Sequence, residues 1–146
     1  MNLVYLHNVA HWLYRKKIPI IPKIIYYIQF LLFNSSVPFQ VKIGKNTKFG
    51  YGCIGVVIHA NTEIGQDCII GQGVTIGGRS KICEVPKIGN RVYIGPGARV
   101  LGNVVIGDDV VIGANAVVIK DVPSGCIVVG IPAKIIKEGI RMKDYV

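Results

Sequence analysis

Residues 58–77 read IHANTEIGQDCIIGQGVTIG, with an isoleucine every six positions at Ile58, Ile64, Ile70 and Ile76. Glycine follows the last three of these, but His59 follows the first. A helix repeats its buried face every 3.6 residues and a strand every second residue, so neither alone produces strict sixes. Short strands joined by turns do, with one aliphatic side chain per strand directed inward.

The rule extends outward in both directions. Position 1 of the hexapeptide holds Ile43, Phe49, Ile58, Ile64, Ile70, Ile76, Ile88, Ile94, Val100, Ile106, Ile112 and Val118. The steps are six, except nine from Phe49 to Ile58 and twelve from Ile76 to Ile88, which is two sixes. Position 5 is small or β-branched throughout: Thr47, Cys53, Thr62, Cys68, Val74, Ser80, Val92, Ala98, Val104, Val110, Ala116 and Val122. So short an internal period predicts a solenoid, a mainly β parallel β-helix over residues 37–131. Position 1 stacks on its equivalents in the next coil, each buried Ile or Val contributing roughly 1.5–3 kcal/mol. Position 5 also faces inward, and glycine at position 2 permits the corner. The segment GRSKICEVPK, Gly78 to Lys87, leaves the coil while keeping register. Loops projecting from a rigid scaffold commonly carry function.

The chain has 146 residues, one domain by length, and is 51% hydrophobic with a net charge of +9. Arg15, Lys16, Lys17 and Lys23 form one basic cluster, and Lys134, Lys137, Arg141 and Lys143 another. Such a surface suits anionic lipid or a phosphate-bearing ligand. Nucleic acid is disfavoured, because no zinc-finger spacing, RNP-type aromatic motif or helix-turn-helix is visible. Cys53, Cys68, Cys83 and Cys126 contain no CxxC pair and read as reduced thiols of a cytoplasmic protein.

Residues 1–36 differ from the rest. Leu3, Val4, Leu6, Val9, Trp12 and Leu13 suit one side of a helix, Pro19 and Pro22 break it, and the apolar run IIYYIQFLLF follows from Ile24 to Phe33. That run is too short to span a bilayer, which takes about 20 residues. Two readings stand: a helical pair packed on the solenoid or a neighbouring subunit, and a segment lying on the inner membrane face. Residues 132–146 suit a C-terminal cap.

The stretches GVVIHANTEIG, QGVTIGG, VPKIG, IGPGARVLGNVVIGDDVVIGANAVVIKDVP and VVGIPAKII together resemble the hexapeptide-repeat acyltransferases, in particular the serine acetyltransferase branch. The N-terminal LYRKKIPIIPK looks like short members associated with surface-polysaccharide synthesis. The resemblance implies a left-handed β-helix and a homotrimer, with acetyl-CoA in the groove between neighbouring subunits. It implies cofactor contacts at Gly77, Gly78, Gly97, Ala98, Ala114, Ala116, Lys120 and Lys134. It also implies that Gln72 is retained at the site.

The departures concern the acceptor. The family's Asp-His pair falls on FGYGCIG, with Tyr51 or Gly52 at the histidine. The family histidine before the loop proline is Val85, and an upstream acidic residue is matched by Ser36 or its neighbours. A hydroxyl acceptor needs a base, and histidine suits that role near neutral pH. His7 and His11 lack further metal ligands, and only His59 lies in the repeat, so no metal site is expected. That also disfavours the zinc carbonic anhydrases of this fold. His59 is therefore the candidate base, against the plainer reading of a corner histidine that only hydrogen-bonds locally. Tyr51 is a second contact candidate, and a backbone N–H near Gly77–Gly78 is a candidate oxyanion donor. The resemblance, with these departures from it, implies direct O-acetyl transfer to a sugar hydroxyl of a surface polysaccharide or its precursor. The alternatives are serine O-acetyl transfer for cysteine biosynthesis and a catalytically silent trimeric scaffold.

Overall fold

The computed structural model describes residues 3–146. Helices α1 (Leu3–Arg15) and α2 (Ile21–Phe33) precede fourteen short strands. The first coil is β1 (Lys42–Ile43), β2 (Lys48–Phe49) and β3 (Val57–Ile58). The second is β4 (Glu63–Ile64), β5 (Ile69–Ile70) and β6 (Thr75–Gly77), and the third is β7 (Lys87–Ile88), β8 (Tyr93–Ile94) and β9 (Arg99–Leu101). The fourth is β10 (Val105–Ile106), β11 (Val111–Ile112) and β12 (Val117–Val118), followed by β13 (Ile127–Val129) and β14 (Lys134–Lys137).

Strands stack in parallel into three faces: β1-β4-β7-β10, then β2-β5-β8-β11-β13, then β3-β6-β9-β12. This is the left-handed parallel β-helix that the repeat and the resemblance led one to expect. Register pairs each position 1 residue with the next coil's, as in Ile58 with Ile76 and Ile76 with Val100. From Ile58 onward the position 1 side chains are buried, while Ile43 and Phe49 at the open end are only partly covered.

Two expectations change. Position 2 glycines are needed for close approach between coils, not for an unusual backbone. A Cβ on Gly71 would sit 2.6 Å from the Pro96 nitrogen, and one on Gly95 would sit 2.6 Å from the Ala114 nitrogen. The left-handed backbone falls instead at position 4, at Asn46, Asp67, Arg91 and Asp109 between the first and second faces. Asn and Asp tolerate that conformation better than most residues. Their side chains also tie adjacent coils, Asn46 Nδ2 donating to Asp67 Oδ1 at 3.0 Å and Arg91 Nε to Asp109 Oδ2 at 2.9 Å. The second change concerns Ser80, expected inward at position 5, which is exposed because the chain has already left the coil. Pro86, just before β7, is buried in the corresponding place.

The two helices lie over the open first coil. Leu3 and Phe33 join Val37 and Val41 in the solenoid core. His7 Nε2 bonds the Val41 carbonyl at 3.0 Å, and His11 Nδ1 bonds the Phe39 carbonyl at 2.8 Å. Tyr26 shares a 2.8 Å hydroxyl bond with Ser36. The outer faces of the helices remain apolar and exposed at Trp12, Ile24, Tyr27, Ile28, Leu31 and Leu32. Among the described residues no helix is long and apolar enough to cross a membrane. At the far end β14 pairs antiparallel with β13, and Ile140 and Met142 pack on Val111 and Ile127.

Candidate active site

The third face is bordered by two corners, and nearly all the sequence-predicted residues lie on them. His59, Gly77, Gly78 and Lys120 lie at or just past the ends of strands β3, β6 and β12, at the corner leading back to the first face. Tyr51, Gln72, Gly97 and Ala114 lie at the opposite corner, between the second and third faces. Within one chain the third face separates the two sets. Lys134 is exposed at the start of β14. Ala98 and Ala116 are fully buried, so their side chains serve the core and do not reach a groove.

The corner of His59 departs from the close-packed rule. The His59 N–H donates to the Ile76 carbonyl at 2.8 Å, which places it directly beneath Gly77. A Cβ on Gly77 would meet nothing within 4 Å, unlike the position 2 glycines at the other two corners. Position 2 here is open, and a histidine fits without displacing the next coil. Above Gly77 the ladder continues to Leu101, which closes the column. Open space therefore lies between an exposed imidazole below and a leucine above.

The His59 ring is held by a weak local bond. Its Nδ1 accepts from the Asn61 backbone N–H at 3.2 Å, which leaves the proton of the neutral ring on Nε2. Glu63, close by in sequence, does not orient the ring: it is engaged by Lys42 at 2.6 Å. The Glu63 carboxyl is held below its ordinary value chiefly by the Lys42 hydrogen bond.

Across the third face, Tyr51 is 79% exposed in a short 3-10 turn, Gly50–Cys53, with φ of 48°. A bulky residue in the left-handed region is uncommon. Gln72 is half-buried, and its Oε1 has no hydrogen-bond partner. Its backbone carbonyl accepts from Gly97 at 2.9 Å, joining two predicted residues through the ladder. Such a buried, unsatisfied carbonyl is a ready acceptor for a ligand N–H or hydroxyl.

Two cations escaped the sequence reading. Arg99 projects from the third face and reaches back to the Gly73 and Gly97 carbonyls, the latter at 3.0 Å. Its only sequence signal is a charge where other strands of that face carry Val or Thr. Arg79 opens the 78–87 loop and folds against Gly102, held by a turn in which Ile82 N–H bonds the Arg79 carbonyl at 2.8 Å. The loop thus lies at the His59 corner.

Three of the four cysteines take no part. Cys53, Cys68 and Cys126 are buried, and burial pushes the Cys53 thiol up to about 12. A thiol so protonated is a small hydrophobe, not a nucleophile. Among the described residues no group of three or more His, Cys, Asp or Glu is placed to hold a metal.

Comparison with known proteins agrees with the fold. The bacterial transferase hexapeptide (six repeats) family matches residues 86–120. A serine acetyltransferase of Synechococcus elongatus is 42% identical over 139 residues, covering 93% of this chain and 57% of that protein. One from Staphylococcus aureus is 41% identical over 145 residues, covering 97% of this chain and 68% of that protein. The crystal structure of the Brucella abortus serine acetyltransferase in complex with coenzyme A superposes with a TM-score of 0.83 at 33% identity, covering 92% of this chain and 54% of that one. The chain thus spans from 54% to 68% of the length of these relatives. By fold, repeat and relatives, the chain belongs to the serine acetyltransferase family of hexapeptide-repeat transferases.

Proposed function

We propose that the protein is an acetyl-CoA-dependent O-acetyltransferase, with L-serine as the first acceptor to consider. The observation that carries the transfer chemistry is the His59–Gly77 column, an exposed imidazole stacked beneath an open glycine. The acceptor assignment draws support from the relatives, which are serine acetyltransferases. Their identity favours serine over the sugar acceptor expected from the sequence. The donor assignment draws support from the coenzyme A complex of the Brucella relative.

In this reading acetyl-CoA lies along the third face of one subunit, in the groove made with a neighbour in a homotrimer. Gly77 and Gly78 leave room for the thioester. Lys120, on the same corner, and Lys134 approach the nucleotide phosphates as point charges. Gly97 and Ala114 flank the pantetheine from the opposite corner, and the unsatisfied Gln72 carbonyl accepts from one of its amides.

The chemistry is direct attack. The acceptor hydroxyl loses its proton to His59, its oxygen bonds the thioester carbon, and the tetrahedral intermediate expels the CoA thiolate, which takes up a proton. As oriented, His59 has Nδ1 occupied by Asn61 and cannot accept a proton at Nε2. Taking the hydroxyl proton requires the ring to turn and release that 3.2 Å bond, at a net cost of about 0.5–1.5 kcal/mol. The turn leaves a free basic nitrogen toward the acceptor. A backbone N–H near Gly77–Gly78 faces the developing oxyanion.

A sugar hydroxyl is the second reading. The Asp-His pair of the serine acetyltransferases falls on FGYGCIG, with Tyr51 or Gly52 at the histidine, and Val85 stands in place of the loop histidine. Those changes alter the acceptor side and leave the donor side intact.

The test is free-thiol release from acetyl-CoA by wild type and His59→Ala, with serine and a panel of sugars. Turnover on serine that falls about 10²–10⁴-fold in the variant supports the first reading and the base role. Turnover on sugars alone replaces serine with the second. Equal turnover in the variant refutes His59 as the base. Without turnover on any acceptor, coenzyme A binding points to an acceptor outside the panel, and failure to bind coenzyme A points to a silent scaffold.

A further inference from the structure

Beside the His59 turn, the helix pair and the first coil enclose adjoining clefts that the transfer mechanism does not use. One, of about 640 Å³, is bordered by Tyr14, Arg15, Lys17, Lys23, Phe39 and Gln40. A second, of about 380 Å³, shares Lys23, Phe39 and Gln40 and runs to Ala60, the residue after His59. A third, of about 680 Å³, shares Arg15 and Gln40 and reaches Asn61 and Glu63. Gln40 is common to all three.

Charge decides what such a space can hold. Among the described residues no ion pair engages Arg15, Lys17 or Lys23, and the only carboxylate on these walls, Glu63, is neutralised by Lys42. Three uncompensated cations therefore converge at the turn between the helices. The N-terminus of α2 opens beside them with no side-chain cap and no acidic residue in its first turn. A thirteen-residue helix presents partial positive charge there. Lys17 is also held at φ of 61°, where glycine is the ordinary choice after a helix. Cations ordinarily spread apart unless a ligand recompenses their repulsion.

A single carboxylate would leave most of this charge unanswered, whereas a diphosphate matches it. The Gln40 Oε1 is buried without a hydrogen-bond partner, so the wall also asks for a hydroxyl or N–H donor. The Tyr14 and Phe39 rings, 5.3 Å apart, offer an apolar surface to a pyranose. We propose that the cleft between the α1–α2 turn and the first coil binds a diphosphate-linked sugar, with the diphosphate on Arg15, Lys17 and Lys23 and a hydroxyl on Gln40. Its role as acceptor rests on the second reading above, but its binding does not. The diphosphate could be carried by a nucleotide or by an isoprenoid.

The test is calorimetric titration of the full-length protein, saturated with coenzyme A so that the donor groove is blocked. The probes are inorganic pyrophosphate, a uridine diphosphate sugar, farnesyl diphosphate and L-serine. Pyrophosphate is expected to bind, and Arg15→Gln and Lys17→Gly each to weaken it about tenfold or more. Lys17→Gly relieves the left-handed backbone, so its thermal midpoint should hold or rise, separating lost binding from lost folding. Tighter binding of the uridine diphosphate sugar than of pyrophosphate identifies a soluble nucleotide source, and tighter binding of farnesyl diphosphate a lipid-linked one. Pyrophosphate that fails to bind at millimolar concentration, binds both variants as well as wild type, or is outcompeted by serine overturns the assignment. Failure of sugars to be acetylated would remove the second reading but leave these titrations standing.

Discussion

His7 makes the attachment of the N-terminal helices sensitive to acid. It is 1% exposed, and burial lowers its pKa from 6.5 to about 4. The Val41 carbonyl opposes that shift, His11 adds to it, and the Val37 carbonyl opposes it again. The unfolded chain takes up a proton near pH 6.5, and the folded chain resists until about pH 4. The unfolded state therefore gains protons first as pH falls. The stability cost is absent above the unfolded value, grows through the window from 6.5 to 4, and is complete near the folded value. The drop of about 2.5 units corresponds to about 3 kcal/mol, of the order of 6–12 °C in thermal midpoint for a chain of this size.

The assay is denaturant unfolding of wild type and His7→Gln between pH 8 and pH 4, with each pH compared across the two proteins. Glu63 and Asp109 have lowered pKa values, so their contributions are present above their unfolded values and lost at the acid end. Both proteins share them, and the difference isolates His7. Trp12, the single tryptophan, lies on α1 and reports locally on its release. A wild-type minus variant difference that stays flat from pH 7 to pH 4 would refute the argument. His11 stacks on His7 at 6.1 Å between ring centroids, so His11→Gln should shift the wild-type transition to lower pH.

Other perturbations follow from the coil geometry. Gly95→Ala forces a Cβ to 2.6 Å from the Ala114 nitrogen and should cost about 1–3 kcal/mol in chemical denaturation, whereas Gly77→Ala should change stability by less than about 0.5 kcal/mol while lowering acetyl-CoA turnover. Ile94→Ala empties a fully buried position in a middle coil and should cost about 2–5 kcal/mol. In the folded protein a thiol reagent should label the exposed Cys83 rapidly, and Cys53, Cys68 and Cys126 only after denaturation, as mass spectrometry of the adducts would read.

The solenoid was legible because its signal is redundant. Positions 1 and 5 are constrained independently, and each coil repeats the constraint. The reason for glycine at position 2 was not legible, since a composition rule cannot distinguish a left-handed backbone from a crowded one. Ser80 was misplaced for a related reason: counting by sixes continues through the 78–87 loop, while the chain leaves the coil and returns at Pro86. The site was legible only in part. His59 announced itself by breaking a column, and its exposure at an open corner followed. Its bond to Asn61 did not, because hydrogen-bond direction depends on ring orientation. Arg79 and Arg99 were hidden because a charge on a solvent-facing position looks like any other surface charge.

A solenoid is saturated along its axis: each interior coil is covered above and below, and its corners are filled by the next turn. Spare surface for chemistry arises only where that stacking is interrupted. This chain interrupts it twice. The nine-residue step between Phe49 and Ile58 inserts the turn that holds Tyr51, and the twelve-residue step between Ile76 and Ile88 opens the loop beside His59 and Gly77. The interruptions fall at opposite edges of the same face, β3-β6-β9-β12, which leaves that face bordered on both sides by exposed polar groups. The first and second faces meet instead at a corner stitched by the Asn46–Asp67 and Arg91–Asp109 bonds, with no open position. A substrate approaching from the side therefore finds one face equipped to engage it. The departures from the repeat locate the candidate chemistry more sharply than the repeat itself.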